Sequence, residues 1–164
     1  MIKNLKSQCG NYTIQCIKAD GSMRWSEDFS NMVVDQGLQH ELDVVFKGAT
    51  ASSTWYFGLL NTSPTITAGL TLSTLSEFTG YTGSRKEFTS VRTLNSLSNT
   101  ASKATFEITQ ASSVIGGVFL TNALSGTTGV LFSAATFPTA DGNRSAEVGD
   151  TLTIGYTLSS ANQV

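Results

Sequence analysis

Ser113-Val114-Ile115-Gly116-Gly117-Val118-Phe119-Leu120, a polar turn over 121–128, then Gly129-Val130-Leu131-Phe132-Ser133-Ala134: the fold class is decided in this stretch. Each apolar run is too short for a globular helix and is bounded by turn residues, the signature of a buried strand. A glycine pair inside a strand pattern marks a bulge or a close backbone approach that bends the sheet. Downstream, Gly149-Asp150 launches a last strand over 151–158.

Upstream, Trp55-Tyr56-Phe57-Gly58-Leu59-Leu60 is the strongest core strand, aromatic-rich and flanked by turn residues. Residues 61–75, rich in Thr, Ser, Gly and Pro, read as a long surface loop. Weaker strands follow at 77–81, 86–94 and 104–109. Near the start, Tyr12 to Ala19 alternates with Tyr12, Ile14 and Cys16 on one face. Asp20-Gly21 then turns the chain into a return strand from Met23 to about Phe29, with Met23, Trp25 and Phe29 on its apolar face. Between hairpin and core strand, Val34, Leu38, Leu42, Val45 and Phe46 recur at helical spacing. Asp35 is the expected cap and Lys47-Gly48 the stop, so one amphipathic helix should cover an end or an open edge. About eight strands and one helix make an all-β, jelly-roll-like β-sandwich, with an N-terminal hairpin arm over 1–30 and the sandwich over 31–164.

Composition narrows the function. The 164 residues are enough for one core. Charged residues make up 13%, about half the usual share, so the polar surface is mostly hydroxyl, amide and backbone. Such a surface is cheaper to bury against a partner than one of ammonium and carboxylate groups. Ten Lys and Arg against twelve Asp and Glu form no basic stripe, which argues against nucleic acid. No run is long enough to span a membrane, and Met1 to Lys6 leads into no signal-peptide core, so synthesis and folding in a cytoplasm are expected.

No catalytic, cofactor or metal set emerges. His40, the single histidine, reads as a solvated residue of the helix's polar face. Cys9 and Cys16 lie on opposite faces of an extended strand and read as free thiols, Asp141-Gly142-Asn143-Arg144-Ser145 as a polar turn. The turn opens like a calcium loop but has Ala146 and Leu152 where such a loop needs Gly and Glu. Glu77, Glu87, Glu107, Glu147 and Asp150 show no spacing that pairs two of them across a cleft.

The order Asn31…Gly37-Leu38, Trp55-Tyr56-Phe57-Gly58-Leu59, Pro64, Glu77…Tyr81…Arg85, Ala101-Ser102-Lys103-Ala104-Thr105-Phe106, Ile115-Gly116-Gly117…Phe119-Leu120, Leu131-Phe132-Ser133 and Gly149-Asp150 resembles small structural proteins of tailed bacteriophages, over roughly residues 30–158. Within that group it looks most like capsid cement or decoration proteins. The resemblance implies a non-enzymatic virion protein on the capsid exterior that clamps neighbouring capsomers, with the major capsid protein and further copies of itself, as homodimer or homotrimer, for partners. No cofactor comes with the family. The hairpin and the 61–75 loop are then the expected contact regions, through Arg24, Trp25, Glu27, Pro64, Ile66 and Leu70. The alternative is a tail or fibre component that binds a receptor or carbohydrate through exposed aromatics.

Overall fold

The computed structural model describes residues 7–62 and 64–161. It is an all-β sandwich with one helix. The first sheet has the order β2-β1-β14-β8-β7, with β9 also on β14; these are β1 (Ser7–Ile17), β2 (Met23–Ser30), β7 (Val91–Thr93), β8 (Ser96–Ser98), β9 (Ala104–Glu107) and β14 (Thr151–Ala161). The second has the order β3-β12-β11-β4-β5, with β6 also on β4: β3 (Met32–Val33), β4 (Tyr56–Leu60), β5 (Glu77–Phe78), β6 (Lys86–Glu87), β11 (Gly117–Thr121) and β12 (Leu131–Thr136). β10 (Ser113–Ile115) and β13 (Arg144–Ala146) form a separate two-stranded ribbon.

Tyr12, Ile14, Cys16, Leu152, Ile154 and Tyr156 from the first sheet meet Phe57, Leu59, Val118, Leu120 and Ala135 from the second in one core. Aromatic rings dominate its centre. Tyr12 stacks on Tyr156 at 4.4 Å, and Phe57 meets both edge-on. A second cluster covers the other face of the second sheet, where Leu60, Phe119, Leu131 and Ala134 pack under Val34, Leu72, Ile66 and Leu70. With both faces covered, β4, β11 and β12 have no polar side to show. This is why their sequences are continuous apolar runs rather than alternations.

The hairpin is no arm. β1 pairs with β14 along eleven residues, from Ser7 opposite Ala161 to Ile17 opposite Thr151, and Tyr12, Ile14 and Cys16 are fully buried. Residues 7–30 are therefore part of the sandwich that the sequence reading confined to 31–164. The expected β2 face is also corrected at its start. The register slips between Cys16 and Ile17, opposite Trp25 and Met23, which leaves Arg24 as the extra residue and Met23 exposed.

Helix α1 (Asp35–Phe46) ends as expected, with Lys47 at the C-cap and Gly48 at φ +69°. Its start differs. Val34 is the N-cap and offers no side-chain bond; the Asp35 amide instead donates to the Ala68 carbonyl of the 61–75 loop.

Candidate interaction surface

Helix α1 lies on β12 by its least bulky residue. A Cβ at Gly37 would run into the Phe132 backbone, so this face comes closer than any other residue would permit. Gln36 fixes the pose: its Oε1 accepts from the Leu131 amide at 2.8 Å and its Nε2 donates to the Gly129 carbonyl at 3.3 Å. Val34, Gly37, His40 and Val44 therefore point inward, and the apolar row expected to cover the sandwich does so only at Val34, its other members pointing outward. Leu38, Leu42 and Val45 are 41–62% exposed and Phe46 is 78% exposed. His40 is correspondingly not a solvated residue. It is half-buried, edge-on to Trp55 at 5.7 Å and 3.2 Å from the Ser52 hydroxyl.

Between α1 and the sandwich end lies an open pocket of about 220 Å³, lined by Val44, Val45, Trp55, Leu97, Phe132 and Leu158, among others. His40, Glu41 and Ser52 are its polar members. Gln8 Nε2, from the start of β1, donates to the Glu41 carboxylate at 2.5 Å. Pocket and exposed helix row share Val45 and form one apolar surface.

The six expected contact residues are all engaged within the chain. Arg24 Nε and Nη2 donate to the two Asp150 oxygens at 2.6 and 3.3 Å. Asp150 also accepts the Glu147 amide at 2.9 Å and lies 3.7 Å from the Cys16 thiol. Burial works to raise the Asp150 pKa; the Arg24 bond and the Glu147 amide outweigh it and hold the carboxyl below its ordinary value. Cys16 is buried and free, and burial followed by the Asp150 charge pushes its thiol up to about 12, so it is not poised for reaction. Trp25 Nε1 donates to the Ser145 carbonyl at 2.8 Å and its ring meets Phe137 at 5.2 Å; Glu27 pairs with Arg144. These bonds fasten residues 144–150 to β2. Pro64, Ile66 and Leu70 come together around a second pocket of about 240 Å³ beneath the 61–75 loop, and Ile66 and Leu70 also help cover the second sheet.

Other sequence candidates are structural too. Asp141 Oδ1 accepts from the Asn143 amide and the Thr139 hydroxyl, each at 3.1 Å, as an Asx turn does. Its pKa is lowered first by the Asn143 amide. Glu77 is bidentate to Arg85, at 2.8 and 2.7 Å. Arg85 also donates to the Ala123 and Gly126 carbonyls and lies over the Phe119 ring, which makes it a latch for the 121–128 turn. Among the described residues, no group of three His, Cys, Asp or Glu could hold a metal ion, and no helix is long and apolar enough to cross a membrane.

Sequence reasoning missed the outward row of α1. Gly37 was the available signal, since a glycine in a helix interior costs about 1 kcal/mol against alanine and needs a packing reason. Comparison with family models, with curated proteins and with solved structures finds no match for the chain.

Proposed function

We propose that the chain is a non-enzymatic structural protein of a tailed-bacteriophage particle, a decoration or cement protein that binds the outer capsid surface and clamps neighbouring capsomers. The observation that carries this reading is the outward apolar row of α1 on a rigid, lightly charged sandwich. A contiguous exposed apolar patch marks a protein-contact surface, and α1 is held too firmly through Gly37 and Gln36 for the row to be a misplaced core face. The capsid as partner comes from the sequence resemblance. A decorating protein gains avidity from many repeated copies, so its single contact can be small.

The alternative, a receptor- or sugar-binding tail component, needs exposed aromatic faces. Trp25 is packed on Phe137, Trp55 sits between His40 and Phe132, and Tyr81 is buried against Phe106. Phe46 is the one exposed ring among the described residues, and its neighbours on the row, Leu38, Leu42 and Val45, are aliphatic.

The test is the copy number of the chain in purified particles, measured by mass spectrometry against the major capsid protein. A simple fraction of the capsid-subunit count is expected. A handful of copies per particle would move the protein to the tail, and absence from particles would end the virion reading.

A further inference from the structure

The pocket under α1 reaches Val45, and the next residue along the helix, Phe46, is 78% exposed. We propose that α1 joins two copies of this chain about a two-fold axis, with Phe46 of each copy seated in the apolar pocket of the other. This rests on reading α1 as an interface and names the partner there.

The size fits. An apolar cavity of about 150 Å³ takes a benzene ring, whereas drug-sized ligands and cofactors need about 300 Å³ or more. At about 220 Å³, the pocket suits one phenyl side chain with its methylene. Supply fits as well. Phe46 is the one exposed aromatic among the described residues, and Val45, its neighbour in sequence, is already part of the pocket wall. A knob and a hole on the same patch are self-complementary under a two-fold axis, because residue i then meets j and j meets i.

Charge fits in the same way. The residue after Phe46 is Lys47, and the charged residue lining the pocket is Glu41. A copy that inserts Phe46 therefore brings an ammonium group toward Glu41, whose carboxylate already accepts from Gln8 Nε2 and would take the cation as a further partner. Lys47 sits 3.1 Å from Asp43 of its own helix, an exposed pair that is easily exchanged.

Area sets the strength. A twelve-residue helix is about 18 Å long and about 10 Å across, less than the roughly 800 Å² per partner of a standard interface. Two inserted rings, each burying roughly 150 Å² or more, supply the anchors that such a small contact needs. A reversible dimer follows, not an obligate one.

Sedimentation equilibrium of the full chain, over about 1 to 300 μM, reads the inference directly. A monomer–dimer equilibrium is expected. Phe46→Ala, which removes the knob, and Ala51→Trp, which fills the hole from an exposed linker position, should each weaken the dimer at least about tenfold without changing the unfolding temperature. An equimolar mixture of the two variants restores one knob in one hole, so it should dimerise more tightly than either variant alone. A monomer at every concentration, a dimer indifferent to both variants, or a mixture no tighter than its components would each overturn the proposal. If the isolated chain stays monomeric but Phe46→Ala abolishes binding to particles, the row belongs to the capsid partner: the self-association is then wrong and the proposed function stands.

Discussion

The β1–β2 hairpin and helix α1 are opposites in what they display and what they hide. The hairpin carries Lys18, Asp20, Arg24, Glu27 and Asp28, yet β1 lies between β2 and β14 with its alternate residues in the core. The helix carries the cleaner amphipathic pattern, yet turns its apolar row to solvent. Charge in the hairpin is not a mark of a detached arm, because Arg24 and Glu27 are satisfied by Asp150 and Arg144. Amphipathicity in the helix is not a mark of inward packing, because Gly37 and Gln36 fix which side docks. Partners across the fold, not the local pattern, decide the outcome in both regions.

Five substitutions would break or sharpen that contrast. Ile14→Asp places a charge in the middle of the core on β1 and should cost more than about 4 kcal/mol, enough to abolish the near-UV circular dichroism of the packed aromatics. A folded, fully native spectrum would restore the arm reading. Asp150→Ala leaves half-buried Arg24 unpaired and should cost about 3 kcal/mol in urea denaturation.

The same carboxylate gives a pH dependence. Its folded-state pKa is depressed, so its contribution is complete above the ordinary value of about 3.9 and is lost as pH falls through the folded value. Wild type should therefore lose more stability than Asp150→Asn as the pH is lowered below about 4. Equal losses would mean that the Arg24 pair contributes nothing net.

Smaller effects belong to the helix. Gly37→Ala gains about 1 kcal/mol of helix propensity but drives a methyl group into the Phe132 backbone, and a net loss of about 1–3 kcal/mol is expected. A gain in melting temperature would show that α1 is not held by this contact. Leu42→Ser on the outward row should change stability by less than about 0.5 kcal/mol. A loss several times larger would place Leu42 in the fold rather than at an interface.

Much of the sandwich was legible. Continuous apolar runs at 55–60, 113–120 and 129–134 announced β4, β11 and β12 because the second sheet is covered on both faces, and Gly48 announced the helix end. What stayed hidden rests on distance along the chain. β3, β8 and β13 are two or three residues long and exist only because β12, β14 and β10 supply their partners. The 113–120 run reads as one strand, but Gly116 breaks it. A Cβ there would strike the Asn61 carbonyl and the Pro64 ring, so the chain passes from the ribbon into the second sheet at that point. At the candidate surface, the residues of the row were readable as a helical stripe, and its outward direction was not. The pocket draws its wall from α1, β8, β11, β12 and β14, with Ala51, Ser52, Trp55 and Phe88 from the connections between them, and no local pattern encodes it.

The long ladder between β1 and β14 sets Ser7 directly across from Ala161. A short linker joining residue 161 to residue 7 could therefore close the described strands into a ring, and new ends opened within the exposed 124–128 turn would give a circular permutant with every strand pairing kept. By the same geometry, peptides grafted before residue 7 and after residue 161 would emerge side by side, as a two-pronged display from a single point on the molecule.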